Sequence, residues 1–358
     1  METLNRKKID KTFKALAILT LLIWFLILAK DVILPISFAA LFSVVLLPFV
    51  KRLDKKINRV FAISIVLFSS FMIVALFTWF IVSQLTKLVA SLPGIEDKFY
   101  SLVNSVSSSL NDQFKISTAD QGTLLKEGIK NLSDNASSLL VSTSYLLYFF
   151  IQVPIYIFLF LLYRDRFKDF LLALRPGSDL KWMDEIQGVV RHYISGLGLV
   201  VFIAGVLNSI GLLILGIDHA IFFGFLSGML TMIPYVGITL GATMPALLAL
   251  VTKDSAWYAV GVIGLHMTVQ FLEGNFITPK ITGSRISVNA LAAIIALLVG
   301  GKIWGIPGMI LAVPSVGILK IILSYSNELK PLVILLGDEK NGEPEITAKE
   351  TSDQPAGK

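Results

Sequence analysis

Three polar side chains recur at helical spacing inside an apolar segment of the second half of the chain. His266, Gln270 and Glu273 occupy positions i, i+4 and i+7, which puts them on one face of a helix. A carboxylate at membrane depth costs roughly 2.5 kcal/mol or more unless it is paired or hydrated, so it needs a reason. Glu273 could take up a proton or bind a hard cation through oxygen, and Asn275 adds a neutral amide. The pattern predicts the polar wall of a substrate or ion path.

A structural role for Glu273 remains an equal alternative at this point. The residue lies at the end of the predicted span, where a carboxylate can simply hydrogen-bond the next turn. Spacing alone leaves both interpretations open.

Two long apolar stretches flank this segment, and each is interrupted by Pro and Gly. Residues 220–252 are too many for one crossing, which needs about 20, and Ile233-Pro234-Tyr235-Val236-Gly237 divides them. The second stretch, residues 288–323, is expected to break at residues 300–302. Unwound backbone in a bilayer is tolerated only where protein or a watery cavity covers it, and paired interrupted segments point to a transporter's binding site. The residues expected to shape the breaks are Pro234, Tyr235, Gly237, Pro279, Gly305, Pro307, Gly308 and Pro314.

The amino-acid composition indicates the kind of protein that positions these residues. The chain is 55% hydrophobic and 16% charged, with a mean hydropathy of +0.76, whereas a soluble domain is about 45–50% apolar and about 25% charged. We therefore expect an all-α polytopic membrane protein with about 6–8 transmembrane helices. The net charge of +6 comes from basic residues beside apolar segments, as the positive-inside rule predicts, so nucleic acid is not an expected partner.

Several kinds of chemistry find no support in the sequence. The chain has no cysteine, and its three histidines, His192, His219 and His266, show no metal-ligand spacing. There is no GxxxxGK[ST] motif for ATP. We expect no cofactor, no metal site, no catalytic residues and no enzymatic activity.

The order of polar and apolar segments predicts six regions. They are transmembrane helices 1–3 (1–82), an extracytoplasmic insert of amphipathic helices (83–138), transmembrane helix 4 (139–163), cytoplasmic interfacial helices (164–194), a membrane core with broken helices (195–324), and a cytoplasmic tail (325–358) that is expected to be disordered from about residue 337. The loop 51–59 carries five basic residues and one acidic residue, which predicts cytoplasmic termini. Two topologies stay open: six full spans with two re-entrant hairpins, or eight crossings with discontinuous helices.

Four motifs occur in order along the chain. They are Tyr193-Ile194-Ser195-Gly196, Ile233-Pro234-Tyr235-Val236-Gly237, Gln270-x-x-Glu273-Gly274-Asn275-x-x-Thr278-Pro279-Lys280-Ile281-x-Gly283, and Gly305-x-Pro307-Gly308-Met309-x-Leu311-Ala312-x-Pro314. This combination resembles the autoinducer-2 exporter family of bacterial membrane proteins.

The resemblance implies a permease of the bacterial inner membrane that is homo-oligomeric. Some relatives are assigned export of the furanone signal autoinducer-2 in quorum sensing, and others sodium or lithium/proton exchange. Relatives often carry Gln where this chain has Leu197, and Asn208 is the amide that could substitute for it.

Three functions follow as expectations. The first is a secondary transporter that exports a small polar metabolite or signal such as autoinducer-2, with Gln270, Glu273, Asn275, His266 and Asn208 along its path. The second is a sodium (lithium)/proton antiporter, whose partners are a monovalent cation and protons. The third, of another class, is a membrane scaffold that transports nothing and binds partners through residues 83–138.

Overall fold

A computed structural model describes residues 2–114, 143–174, 180–232, 236–282, 288–326 and 329–337. The described residues are helical almost throughout, which confirms the all-α prediction. The helices are α1 (Glu2–Leu28), α2 (Lys30–Asp54), α3 (Arg59–Phe114), α4 (Thr143–Leu162), α5 (Arg164–Leu174), α6 (Lys181–Ile214), α7 (Ala220–Leu230), α8 (Val236–Thr252), α9 (Trp257–Leu272), a π turn (Glu273–Ile277), α10 (Thr278–Thr282), α11 (Ala290–Trp304), α12 (Ile306–Ser324) and α13 (Lys330–Leu336).

Four segments of the described chain are long and apolar enough to cross a membrane. They are Lys30–Asp54, Arg59–Leu88, Lys181–Ile214 and Ile306–Ser324. Shorter apolar segments include Phe150–Leu162 and Ala290–Trp304. Large apolar side chains stay outside the packed interior, as with Phe68, which is 65% exposed. A bilayer rather than water must cover such faces, so the chain is a multi-pass membrane protein.

One compact unit consists of residues 35–168 and 196–281. It contains two hydrophobic clusters. In the first, Leu212 of α6 packs with Phe223 of α7, Ala249 of α8 and Val262 of α9. In the second, residues of α2, α3 and α4 pack together, and Ile63 of α3 is completely buried. The first cluster holds the helices that form the candidate site.

A charged network joins the helix ends of this unit. Arg59, at the start of α3, lies 2.5 Å from the Asp165 carboxylate, and Arg164 lies 2.5 Å from Asp54. The hydrogen bond from Arg59 holds the pKa of Asp165 below its usual value. The network ties the end of α2 to the starts of α3 and α5.

The other compact unit consists of residues 1–34, 169–195 and 282–358. Its described centre is a hairpin of α11 and α12, in which the backbones of Gly300 and Gly308 lie so close that a Cβ on Gly308 would sit 2.0 Å from the Gly300 carbonyl oxygen. The Trp304 indole donates a hydrogen bond to the Leu26 carbonyl of α1 at 2.9 Å. Asn289 caps α11 by accepting from the amide of Ala292 at 2.8 Å.

Two predicted boundaries differ from the structure. The second break was expected at residues 300–302, but α11 continues through them, and the chain turns at Gly305 (φ 65°, ψ −143°). Only Gly adopts this conformation without strain, whereas the paired glycines at 300 and 301 tolerate a helix. An interfacial helix was expected to end before residue 195, but α6 runs unbroken from Lys181 to Ile214, because its glycines occur singly and no proline interrupts it.

The predicted insert is described only in part. Helix α3 extends beyond the expected end of the third span to Phe114. Residues 115–142, which include the second predicted amphipathic helix, lie outside the described residues. The tail predicted to be disordered from about 337 also lies outside them beyond Gly337.

Candidate functional site

A small polar cavity lies within the unit formed by residues 35–168 and 196–281. Helices α6, α7 and α9 form its walls, together with the start of α8 and the π turn. Its volume is about 10 Å³, which is room for about one water molecule. The lining residues are Ala204, Asn208, Ser227, Thr231, Gly237, His266, Val269, Gln270 and Glu273.

Glu273 is buried and held by two side-chain donors. The Gln270 amide donates to one carboxylate oxygen at 2.7 Å, and the Thr278 hydroxyl donates to the other. The residue begins the π turn. Such turns are rare in proteins, and those that occur are often at functional sites. The wider turn brings Thr278, five positions later, against the carboxylate. Because a carboxylate offers about four lone-pair positions, these two bonds leave Glu273 able to accept from a ligand.

His266 and Ser227 connect α9 to the α7–α8 hairpin. The His266 Nδ1 lies 2.9 Å from the Val262 carbonyl oxygen, which can only accept, so this nitrogen carries the proton. Its Nε2 lies 3.1 Å from the Ser227 hydroxyl oxygen. That oxygen also lies 2.9 Å from the Gly241 carbonyl oxygen of α8. A single serine of α7 therefore contacts both α8 and α9.

Asn208 contributes an unpaired acceptor. The residue is only 4% exposed, and it lines the cavity from α6. Among the described residues no group donates to its Oδ1. A buried amide oxygen without a donor is costly, by about 1–3 kcal/mol, so its persistence in the site calls for a ligand or water.

Close glycine contacts hold the walls together. A Cβ added to Gly224 of α7 would lie 2.4 Å from the backbone nitrogen of Ser209 on α6, and one on Gly228 would lie 2.7 Å from the nitrogen of Gly205. Such contacts allow helix backbones to approach closely in a membrane. They bring Asn208 and Ser227 to the same cavity.

The structure brings four of the five predicted path residues together. His266, Gln270, Glu273 and Asn208 all line the cavity. Asn275 does not: it is exposed, and its amide donates to the Phe271 carbonyl oxygen at 2.9 Å. It lies two positions after Glu273, on another side of the helical turn.

The predicted break residues lie in different places. Gly237 lines the cavity. Pro234 and Tyr235 lie outside the described residues. Helix α7 ends at Leu230 and α8 begins at Val236, as the prediction requires. Pro279 lies in α10, which follows the π turn directly, so the helical segment is not broken at this proline. The remaining four belong to the α11–α12 hairpin: Gly305, Pro307, Gly308 and Pro314.

Sequence reasoning missed Ser227 and Thr231. Both lie in an apolar arm that was noted only for its Gly224/Gly228 spacing. The available signal was a serine between those glycines, because a polar side chain in a tightly packed apolar arm must find partners on its neighbours.

Known protein families and individual proteins show sequence similarity to this chain. A family model described as AI-2E family transporter matches residues 14–328. The chain is 27% identical to "Putative transport protein YueF" of Bacillus subtilis (strain 168) over 83% of this chain and 84% of that protein. It is 24% identical to "AI-2 transport protein TqsA" of Escherichia coli (strain K12) over 87% of this chain and 90% of that protein.

The matched region contains every described helix from α2 to α12, and with them the whole cavity. Helices of membrane-spanning length, interrupted apolar segments and the motifs around Glu273 all fall within it. The chain therefore belongs to the AI-2E family of membrane transporters.

Proposed function

We propose that this protein is a secondary transporter of the bacterial inner membrane that exports a small polar metabolite or signal, through a path that includes the Asn208–Glu273 cavity. The observation that carries the proposal is a buried carboxylate, amide and hydroxyl set enclosed by apolar helices. Such a set is expensive in a bilayer and marks substrate and ion pathways. The name of the relative TqsA makes autoinducer-2 the first solute to test.

The size of the cavity places a condition on this path. About 10 Å³ admits one water molecule but no metabolite. An organic solute can pass only after the walls separate. Helix α6 is the wall that carries Asn208, and the π turn after α9 is the wall that carries Glu273. Cytoplasmic termini and a homo-oligomer complete the proposal, the termini on the charge distribution and the oligomer on the family resemblance.

Transport into vesicles tests the proposal. The purified protein is reconstituted in liposomes under an imposed proton gradient, and the flux of autoinducer-2 and other small polar metabolites is measured. We expect Glu273→Gln and Gln270→Ala to abolish or strongly reduce the flux. Thr268→Val is the matched control, because Thr268 lies on the same helix, is exposed, and donates only to the Gly264 carbonyl oxygen of its own helix. Unchanged flux in both site variants, with normal assembly, would remove this site from the path.

Cation/proton exchange is a second candidate, and the carboxylate in a water-sized cavity favours it. It predicts that added sodium or lithium releases protons from the same vesicles and that Glu273→Gln stops the release. A flat pH response to both cations would reject exchange.

A further inference from the structure

The ends of three apolar helices meet at one place, far from the cavity in sequence. Helix α2 ends at Asp54, α3 begins at Arg59, and α4 ends at Leu162 just before α5. The Arg59 guanidinium donates to the Leu162 carbonyl oxygen at 3.4 Å and to the Asp165 carboxylate at 2.5 Å. Arg164 donates to Asp54, which lies 110 positions earlier in the chain. These contacts join the α2–α3 loop and the start of α5 into one surface.

This junction lies at the level of the phospholipid headgroups. Two of its helical segments, Lys30–Asp54 and Arg59–Leu88, are long and apolar enough to cross a membrane, and each has a charged end here. Charged ends of membrane-spanning helices lie at the interface, because their burial in hydrocarbon is costly. Phe49, Phe61 and Phe167 lie within two positions of basic residues and are exposed. Their rings are therefore available to lipid chains.

The junction carries much more positive than negative charge. Residues 51–59 and 164–168 contain eight basic and two acidic side chains. Arg59 and Arg164 already pair with both carboxylates, and Lys168 also interacts with one of them. The other five basic side chains are exposed and form no ion pair within the part of the chain that the structure describes. We call them the cationic rim: Lys51, Arg52, Lys55, Lys56 and Arg166.

An anionic phospholipid matches this surface in both charge and polarity. Clusters of lysine and arginine directly beside a membrane-spanning helix attract anionic lipids. Their apolar stems lie along apolar surface while the charged groups stay at the level of the phosphates. A lipid also brings acyl chains to the exposed aromatic rings, whereas a free anion would leave those rings uncovered. Charge complementarity and the exposed rings therefore favour a lipid as the occupant.

We propose that the cationic rim binds the phosphate of an anionic phospholipid, whose acyl chains lie against Phe49, Phe61 and Phe167. Because the rim takes cations from both segments, a bound lipid links the α2–α3 loop to α5 in addition to the ion pairs. The site is separate from the Asn208–Glu273 cavity and does not rest on the proposed transport function.

The test is lipid binding to the purified protein in a neutral detergent. The protein receives equimolar phosphatidylglycerol, which is anionic, and phosphatidylcholine, which is zwitterionic, and native mass spectrometry identifies the lipids that stay bound. Unfolding temperatures are recorded with each lipid and with inorganic phosphate at equal ionic strength. We expect preferential retention of phosphatidylglycerol and a higher unfolding temperature with it alone. High salt should weaken this preference, because it screens exposed charges.

Charge-removing variants locate the site. Lys55→Gln/Lys56→Gln should lower the affinity for phosphatidylglycerol roughly tenfold or more, whereas Lys55→Arg/Lys56→Arg should keep it. Because Lys55 and Lys56 are exposed, their replacement leaves the packed interior unchanged. The matched control is Lys30→Gln/Lys253→Gln, which removes the same charge outside the rim: Lys30 begins α2 and Lys253 follows α8. This control should retain phosphatidylglycerol like the wild-type protein.

Four results would overturn the proposal. The first is equal retention of the two lipids by the wild-type protein, and the second is wild-type affinity for phosphatidylglycerol in Lys55→Gln/Lys56→Gln. The third is an equal loss of affinity in the control variant, which would mean that net charge and not the rim decides binding. The fourth is an equal rise in unfolding temperature with inorganic phosphate, which would replace the lipid with a free anion.

Discussion

Replacing Gly224 by Ala tests how the cavity walls are held. The added methyl would lie 2.4 Å from the Ser209 backbone nitrogen and 2.6 Å from its Cα. Because both are backbone atoms, α6 and α7 must separate by about 1 Å to reach ordinary contact. Overpacking of this kind costs about 1–3 kcal/mol. The separation begins one residue from Asn208, so we expect lower stability and lower transport together.

Gly264→Ala is the matched control for this change. Gly264 lies inside α9, and its added Cβ would have no atom within 4 Å other than its chain neighbours and the nearby backbone of its own helix. The same substitution should therefore stabilise the helix by about 0.5–1 kcal/mol. The two variants should differ by roughly 1.5–4 kcal/mol in their free energies of unfolding, measured by denaturant titration in mixed micelles. Equal stabilities, or a Gly224→Ala variant with wild-type stability and flux, would refute the close packing of α6 on α7.

Three further predictions concern other parts of the fold. Gly305→Ala should destabilise the protein by about 1–3 kcal/mol, because φ 65° and ψ −143° strain any residue with a Cβ; the free energy of unfolding measures it. Trp304→Phe should cost about 1 kcal/mol in the same assay, because the Leu26 carbonyl loses its indole donor. The pKa of Asp165 is lowered in the folded protein. Its pairing with Arg59 therefore stabilises the fold fully at pH values above the ordinary carboxyl pKa, and this stabilisation is lost as the pH falls through the lowered pKa. Arg59→Ala should remove that loss on the acid side, as seen in unfolding temperatures recorded from neutral to acidic pH.

Helical periodicity predicted the part of the site that lies on one element. His266, Gln270 and Glu273 were expected on one face, and all three line the cavity. Asn275 was predicted from its motif and not from its helical face. Its amide donates to the Phe271 carbonyl oxygen and does not line the cavity. Periodicity was the better guide here because it encodes direction, whereas closeness in sequence does not.

Tertiary contacts between elements could not be predicted from spacing. Ser227 and Asn208 line the same cavity as Glu273 because glycines let α6 and α7 meet at backbone distance. Gly224 and Gly264 look alike in sequence, since each lies in an apolar helix, yet one is packed against backbone and the other is open. A pattern of small residues indicates that a close approach is possible, but not which glycine makes it.

The central claim is that the cavity between α6 and α9 lies on the transport path. Because the natural chain has no cysteine, single cysteines can be placed without a background of other thiols. The direct measurement is transport in vesicles before and after treatment of Asn208→Cys with a small, polar thiol reagent, with Thr268→Cys as the control. We expect the reagent to modify Asn208→Cys during transport and to block flux. Solute or sodium should slow the modification, and modified Thr268→Cys should still transport. Full flux through a completely modified Asn208→Cys protein would contradict it.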